Sequence, residues 1–148
     1  MYHLTNRALA HDPSVTVVGV GGTGSFLAEA LCRLSLAHPF SIHLVDRDRV
    51  EERNLLRQNF LPQELGRFKS QAMAERLARI YRKPVSYSVS MFSARSASYY
   101  GGPLKASILA ACVDNPLSRA EIAASMEPTR FWVDAGNAEN LGQVLIGN

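Results

Sequence analysis

A chain of 148 residues and 16.3 kDa is the size of one domain, and 47% apolar against 20% charged residues lets it bury a core and excludes compositional disorder. The net charge of +3 comes from scattered basic residues, not a dense basic patch with interleaved aromatics, which argues against a nucleic-acid partner and suits an anionic small ligand or an acidic protein partner. The longest strongly apolar stretch, Ile108 to Val113, is far shorter than a membrane span, and Met1 to Ser14 has no apolar signal core, so a cytoplasmic protein without a membrane partner is expected.

Residues 1–14 read as an N-terminal arm and 15–148 as the folded domain. Val15 to Val20 is a β-branched run ending in glycines, expected as a buried strand. Ser25 to Leu36 follows as a helix with Leu27, Ala30, Leu31 and Leu34 on its apolar face, and Glu29 and Arg33 four apart in the favourable order. Pro39 ends it, and Ile42 to Val45 is a second buried strand. Arg67 to Tyr81 has helical periodicity through Phe68, Ala72, Met73, Leu77 and Ile80. Val85 to Met91 and Ala106 to Val113 are the third and fourth strands. Asn115-Pro116 starts another helix, a cap residue followed by proline at the first helical position. Phe131 to Asp134 and Gln143 to Ile146 complete the strands. Apolar strands alternating with helices predict a Rossmann-like, doubly wound α/β fold with a mostly parallel sheet. Ligands of such sheets bind at the carboxyl ends of the strands, where the strand order switches.

Gly19-Val20-Gly21-Gly22-Thr23-Gly24 satisfies G-x-G-x-x-G with one additional glycine and joins the first strand to the first helix. Missing side chains let backbone approach a phosphate, and the helix N-terminus supplies free N–H groups, so Gly19, Gly21, Gly22 and Gly24 are candidate nucleotide contacts. Asp46 ends the second strand, where a carboxylate suits ribose hydroxyls, with Asp48 two residues on. To this point a nicotinamide dinucleotide and ATP fit equally.

Downstream residues separate them. Arg57, Arg67 and Lys69 are cations ahead of or within the first turn of the second helix, where the macrodipole favours carboxylates. Convergence on a polyphosphate offsets that cost, and ATP chemistry needs such cations more than hydride transfer does. Asp114 closes the fourth strand. Since Asn115 serves as the cap, Asp114 is free to face the cleft as a magnesium ligand.

The order G-x-G-G-x-G, Val-Asp-x-Asp-x-Val, Asn-Leu-x-Arg-Gln, Gly-x-x-Lys and Cys-x-Asp-Asn, running from about Val15 to Gly147, resembles the ThiF/MoeB/HesA superfamily, which includes the ubiquitin-activating enzymes. Composition and small size are similar to the ThiF-like proteins of bacterial PRTRC gene clusters. The resemblance implies a ThiF-type adenylyltransferase. It would bind Mg-ATP and activate the C-terminal carboxylate of a small ubiquitin-like or sulfur-carrier protein, forming an acyl-adenylate and pyrophosphate, and it is expected to homodimerise. Carried over by position, Asp46 holds the ribose, and Gly21 and Gly22 line the phosphate loop. Asn54, Arg57 and Lys69 contact the phosphates, Asp114 holds Mg2+, and Arg119 matches a recurrent family position that is equally compatible with a surface role. Arg57, Lys69 and Asp114 are the expected catalytic residues.

Departures from the family are also legible. The chain is expected to lack the usual C-terminal half, and its sequence shows neither the zinc-binding C-x-x-C pairs nor the later catalytic cysteine. Cys32 and Cys112 read as inert core residues, so covalent transfer to the enzyme is not expected. Arg7 is the only arginine ahead of the first strand, and its spacing to Gly19 is too short to reach a neighbouring protomer's site. The histidines form no metal constellation, and Trp132 reads as core packing. Two rival readings remain at this point: an NAD-dependent oxidoreductase domain, and a nucleotide-dependent module that grips a partner without turnover.

Overall fold

A computed structural model describes residues 13–92, 108–124, 131–137 and 142–147. Residues 1–12 of the expected 1–14 arm, with His3, Arg7 and His11, lie outside the described residues, as do the first two residues of the expected fourth strand. Ser14, the last residue of that arm, already belongs to the first strand. The elements in chain order are β1 (Ser14–Val18), α1 (Gly22–Leu34), β2 (Ser41–Val45), α2 (Lys69–Tyr81), β3 (Ser86–Ser88), β4 (Ile108–Ala111), α3 (Pro116–Ala124), β5 (Phe131–Asn137) and β6 (Gly142–Gly147), with short 3-10 turns at Glu52–Asn54 and Pro62–Glu64.

The strands form one sheet in the order β3-β2-β1-β4-β5-β6, parallel throughout except for the antiparallel β5–β6 pair. Alternating side chains feed two cores. Val17, Ile42, Leu44 and Ala110 point to the face covered by α1 and α2, where Ala28, Cys32, Ala72, Met73 and Leu77 meet them. Val18, Val45, Leu109 and Ala111 point to the opposite face and pack with Phe92 and with Ile122 of α3. Helices on both faces make the fold the doubly wound one expected, and Trp132 packs against the second core as read. The order switches between β1 and β4, which places the carboxyl ends of these two strands at the crevice.

Several boundaries differ from those expected, each for a physical reason. Helix α1 begins at Gly22, not Ser25, so the last glycines of the loop already form its first turn. Its buried stripe is Gly24, Ser25, Ala28 and Cys32, while Ala30 and Leu34 are exposed and Leu27 and Leu31 only flank the core. Small residues one turn apart let the helix lie close to the sheet, which rotates the leucines to the sides. Glu29 and Arg33 do pair, at 2.7 Å. Helix α2 begins at Lys69, so Arg67 precedes it, and Arg67 is held by Glu75 instead of pointing to a phosphate. Asn115 accepts a hydrogen bond from the Leu117 N–H at 2.8 Å, the cap that Asn115-Pro116 predicts. The third strand shrinks to three residues, and the last is longer than expected and antiparallel.

Among the described glycines the tightest is Gly24. A Cβ there would lie 1.8 Å from the Gly19 carbonyl oxygen and 3.2 Å from the Cys112 side chain. Backbone cannot rotate away as a side chain can. Gly24→Ala is therefore expected to destabilise the domain by about 3 kcal/mol or more, read as a lowered denaturation midpoint at unchanged m-value.

Candidate functional site

The crevice is built from the ends of β1, β2 and β4. Gly19 follows β1 with φ +86°, and a Cβ on it would meet the Cys112 carbonyl oxygen at 2.7 Å, so conformation and space both require glycine. Gly21 and Gly22 differ in kind. Their would-be Cβ atoms have no protein neighbour nearer than 3.9 Å, the Gln58 side chain and the Arg57 carbonyl respectively. Two glycines are thus demanded by packing, while the other two keep open a space that faces the 54–58 segment. This loop caps α1 with free N–H groups and carries no acidic residue in the first turn, the arrangement of an anion site.

Asp46 sits where expected, at the end of β2, and serves the protein first. Its Oδ2 accepts the Val20 N–H at 2.7 Å and its Oδ1 accepts the Asp48 N–H at 2.8 Å, clamping the glycine loop to the second strand. Burial raises its pKa above the ordinary carboxylate value, against the pull of these two amides and of Lys69. Each carboxylate oxygen keeps a second lone pair for ribose hydroxyls.

Lys69 is the unusual cation. It lies at the first position of α2 with its side chain only 9% exposed, and its ion pair with the exposed Asp48 is long at 3.4 Å. Its own N–H donates to the Asp48 carbonyl at 2.8 Å, so this helix start is tied to the strand that carries Asp46. Ser70 adds to the tie by donating to the Asp46 carbonyl at 2.7 Å. A buried ammonium at a helix N-terminus, weakly paired, is costly, and the alternative of two solvated charges does not describe it.

Between these strands and α2 runs a closed insert. The Val50 N–H donates to the Arg67 carbonyl and the Gly66 N–H to the Val50 carbonyl, both at 2.9 Å, and the Arg49 guanidinium lies 3.9 Å over the Phe68 ring. Within the insert Asn54 is buried, and its Oδ1 accepts the Glu51 N–H at 2.9 Å, so this oxygen shapes the turn while the amide Nδ2, the group that could donate to a phosphate, takes no part in that bond. Arg57 is exposed, with no side-chain partner among the described residues. Gln58, quoted in the motif but given no role by sequence reasoning, is 9% exposed, has its Oε1 unpartnered, and sits beside Gly21. The signal for it was present in its place next to Arg57, but burial cannot be read from spacing.

On the other side of the switch point Asp114 follows β4, exposed and clear of the cap. As an exposed carboxylate it is a hard oxygen donor, the type of group that could contribute one ligand to a magnesium ion. No group of three potential metal-ligating side chains gathers among the described residues. Arg119 is half-buried and ion-paired. Its Nε donates to Asp134 Oδ1 at 3.0 Å, and its Nη2 lies 2.9 Å from Oδ2 as an ion pair without a hydrogen bond of its own, which ties α3 to β5 beside Gly136, whose Cβ would strike the guanidinium at 2.2 Å. The structure therefore brings the glycine loop, Asp46, Asp48, Lys69 and the Arg57–Gln58 segment into one neighbourhood, with Asp114 at the end of β4 across the switch point. Arg67 faces elsewhere.

Comparison with known proteins agrees with this geometry. The ThiF family profile matches residues 5–147. Ubiquitin-like modifier-activating enzyme 5 of Oryza sativa subsp. japonica is 30% identical over 148 residues, covering 91% of this chain and 34% of that protein, and its counterpart from Rattus norvegicus is 31% identical over 142 residues, covering 86% and 34%. The chain thus spans about a third of the length of these curated relatives. Among solved structures, E. coli tRNA N6-threonylcarbamoyladenosine dehydratase, TcdA, in complex with AMP superposes with a TM-score of 0.71 at 30% identity, covering 86% of this chain and 53% of that one. The same protein in complex with ATP gives 0.65 at 28%, covering 88% and 60%. Glycine loop, strand-end carboxylates, buried lysine and profile together make this chain a member of the ThiF family.

Proposed function

We propose that the chain binds ATP with magnesium and adenylates the C-terminal carboxylate of a small ubiquitin-like or sulfur-carrier protein, releasing pyrophosphate. The observation that carries this reading is Lys69, a buried and weakly paired cation beside a glycine loop that leaves two positions open. The ubiquitin-like modifier-activating enzymes that the chain resembles activate ubiquitin-like modifiers, as their name says, and the superposed dehydratase has been seen with AMP and ATP, which supports a nucleotide in this crevice.

The chemistry asks little of acid–base groups. The partner's carboxylate attacks the α-phosphorus, the bond to the bridging oxygen breaks, and pyrophosphate leaves with the electron pair. Gly21 and Gly22 admit the phosphates against the N–H groups of α1, and Asp46 orients the ribose. Lys69 and Arg57 sit where negative charge grows on the transferring and leaving phosphoryl groups, the largest contribution such a site makes. Asp114 holds the magnesium ion, which when bound neutralises phosphate charge. A carboxylate is already ionised at neutral pH, so orientation replaces a general base. An NAD-dependent oxidoreductase would use the glycine loop and Asp46 alike, but gives no reason for burying Lys69 or for placing Asp114 across the crevice.

Calorimetric titration with Mg-ATP and separately with NAD tests this. ATP is expected to bind and NAD to give no signal, with Lys69→Ala and Asp114→Asn each weakening ATP binding by about tenfold or more, the scale of a lost charge-assisted contact. NAD binding indifferent to both changes would sink the reading. ATP binding without pyrophosphate exchange in the presence of the carrier protein favours a module that grips its partner without turnover.

Gly21→Ala separates site from scaffold. Its methyl meets nothing in the protein closer than 3.9 Å, so stability should move by no more than about 1 kcal/mol, the scale of a changed cap residue. ATP affinity should fall at least about tenfold, because the methyl occupies the approach to the phosphates. Equal affinity in the variant, measured by the same titration, would place the phosphates elsewhere.

A further inference from the structure

Within the insert, Asn59 directly follows Arg57 and Gln58, and every polar group of Asn59 is engaged, two by α1 and two by Arg76 of α2. Its N–H donates to Ser25 Oγ at 3.0 Å, and that hydroxyl lies 3.3 Å from the Gly22 carbonyl, within the glycine loop itself. Its Nδ2 donates to Glu29 Oε2 of α1 at 2.7 Å. Its Oδ1 and its carbonyl oxygen both accept from the Arg76 guanidinium of α2, the former at 3.3 Å. The remaining edge of that guanidinium donates to Glu64 Oε1 at 2.9 Å, while Glu64 Oε2 accepts the Leu61 N–H at 2.8 Å. Arg76 and Glu64 are both more than nine-tenths buried, at 9% and 5% side-chain exposure.

A buried ion pair of this kind is weak evidence for stability, because desolvation of both charges consumes most of the attraction. A fold that needed only adhesion here could use two apolar side chains. What an apolar pair cannot do is grip a backbone carbonyl and a side-chain amide of one residue at fixed angles. Arg76 does this one residue beyond Gln58, whose Oε1 is buried and unpartnered beside Gly21. We infer that Arg76 is a positioning residue: through Asn59 it holds the Arg57–Gln58 segment in register with the glycine loop, and so sets the affinity of the site for the polyphosphate part of its ligand. This rests on the ATP reading above for its ligand, though not for its geometry.

The test uses the full chain and the double variant Arg76→Met, Glu64→Leu, which leaves no buried charge unpaired, with Arg76→Lys as the conservative variant. Two readouts are taken. Hydrogen exchange at the amides of residues 57–60, measured without ligand, is expected to speed up in the double variant while exchange in β1, β2 and β4 does not change. Mg-ATP affinity is expected to fall about tenfold while adenosine affinity is kept, and Arg76→Lys should fall between the double variant and the parent. Unchanged exchange at 57–60 overturns the inference whatever the ligand does. Faster exchange with unaltered ATP affinity overturns it as well, as does an equal loss for ATP and adenosine, the mark of general loosening. If the parent chain binds no ATP, the functional reading fails, and the exchange measurement alone decides whether Arg76 holds the segment.

Discussion

The site depends on how closely α1 approaches the ends of β1 and β4. At Gly24 and Gly19 the backbone of the loop touches itself and the Cys112 carbonyl, with no space for a single additional carbon atom. The small buried stripe of Ala28 and Cys32 continues that approach along the helix. As a result the free N–H groups of the first turn stand directly over the crevice at the switch point, and Ser25 comes within reach of Asn59. A bulkier stripe would lift the helix and separate the loop from both the second strand and the insert.

Two charged groups in this neighbourhood are only partly satisfied by the protein. Burial pushes the Asp46 carboxyl upward despite two backbone donors, so the ionised form gains from any further donor placed against it. Lys69 is buried with one long contact to an exposed carboxylate. One group wants hydrogen-bond donors and the other wants an anion. A ribose and a polyphosphate joined in one molecule offer both, so under the proposed ATP reading two opposite charges buried near each other without a direct salt bridge form a coherent arrangement.

Much of this was legible from residues alone. Apolar runs marked β1, β2 and β4, because strands buried on both faces read as continuous hydrophobic stretches, whereas β3 and β6 are largely exposed and carry no such signal. The glycine loop and Asp46 follow strand ends directly, and Asp114 lies just beyond β4. The Asn115 cap was legible for the same local reason. Burial of polar groups was not. Lys69, Gln58 and Arg76 look like solvated side chains in sequence, and only tertiary packing distinguishes them from Arg67, whose partner Glu75 lies on the outer surface of α2. The apolar face of α1 was misplaced because leucines were weighted over the glycine, alanine and cysteine that actually face the sheet. Asn54 shows a role that spacing does not reveal, since its buried side-chain oxygen also shapes its own turn.

The two cysteines carry a consequence of a different sort. Cys32 is buried in the layer under α1 and Cys112 lies at the end of β4 against the glycine loop, and desolvation pushes both thiols up to about 11. Neither is a nucleophile at neutral pH while the domain is closed. Alkylation of Cys32 therefore requires α1 to lift from the sheet, so its rate in dilute thiol reagent is an intrinsic clock for that opening. A nucleotide that grips the first turn of α1 would slow the clock without touching the sulfur.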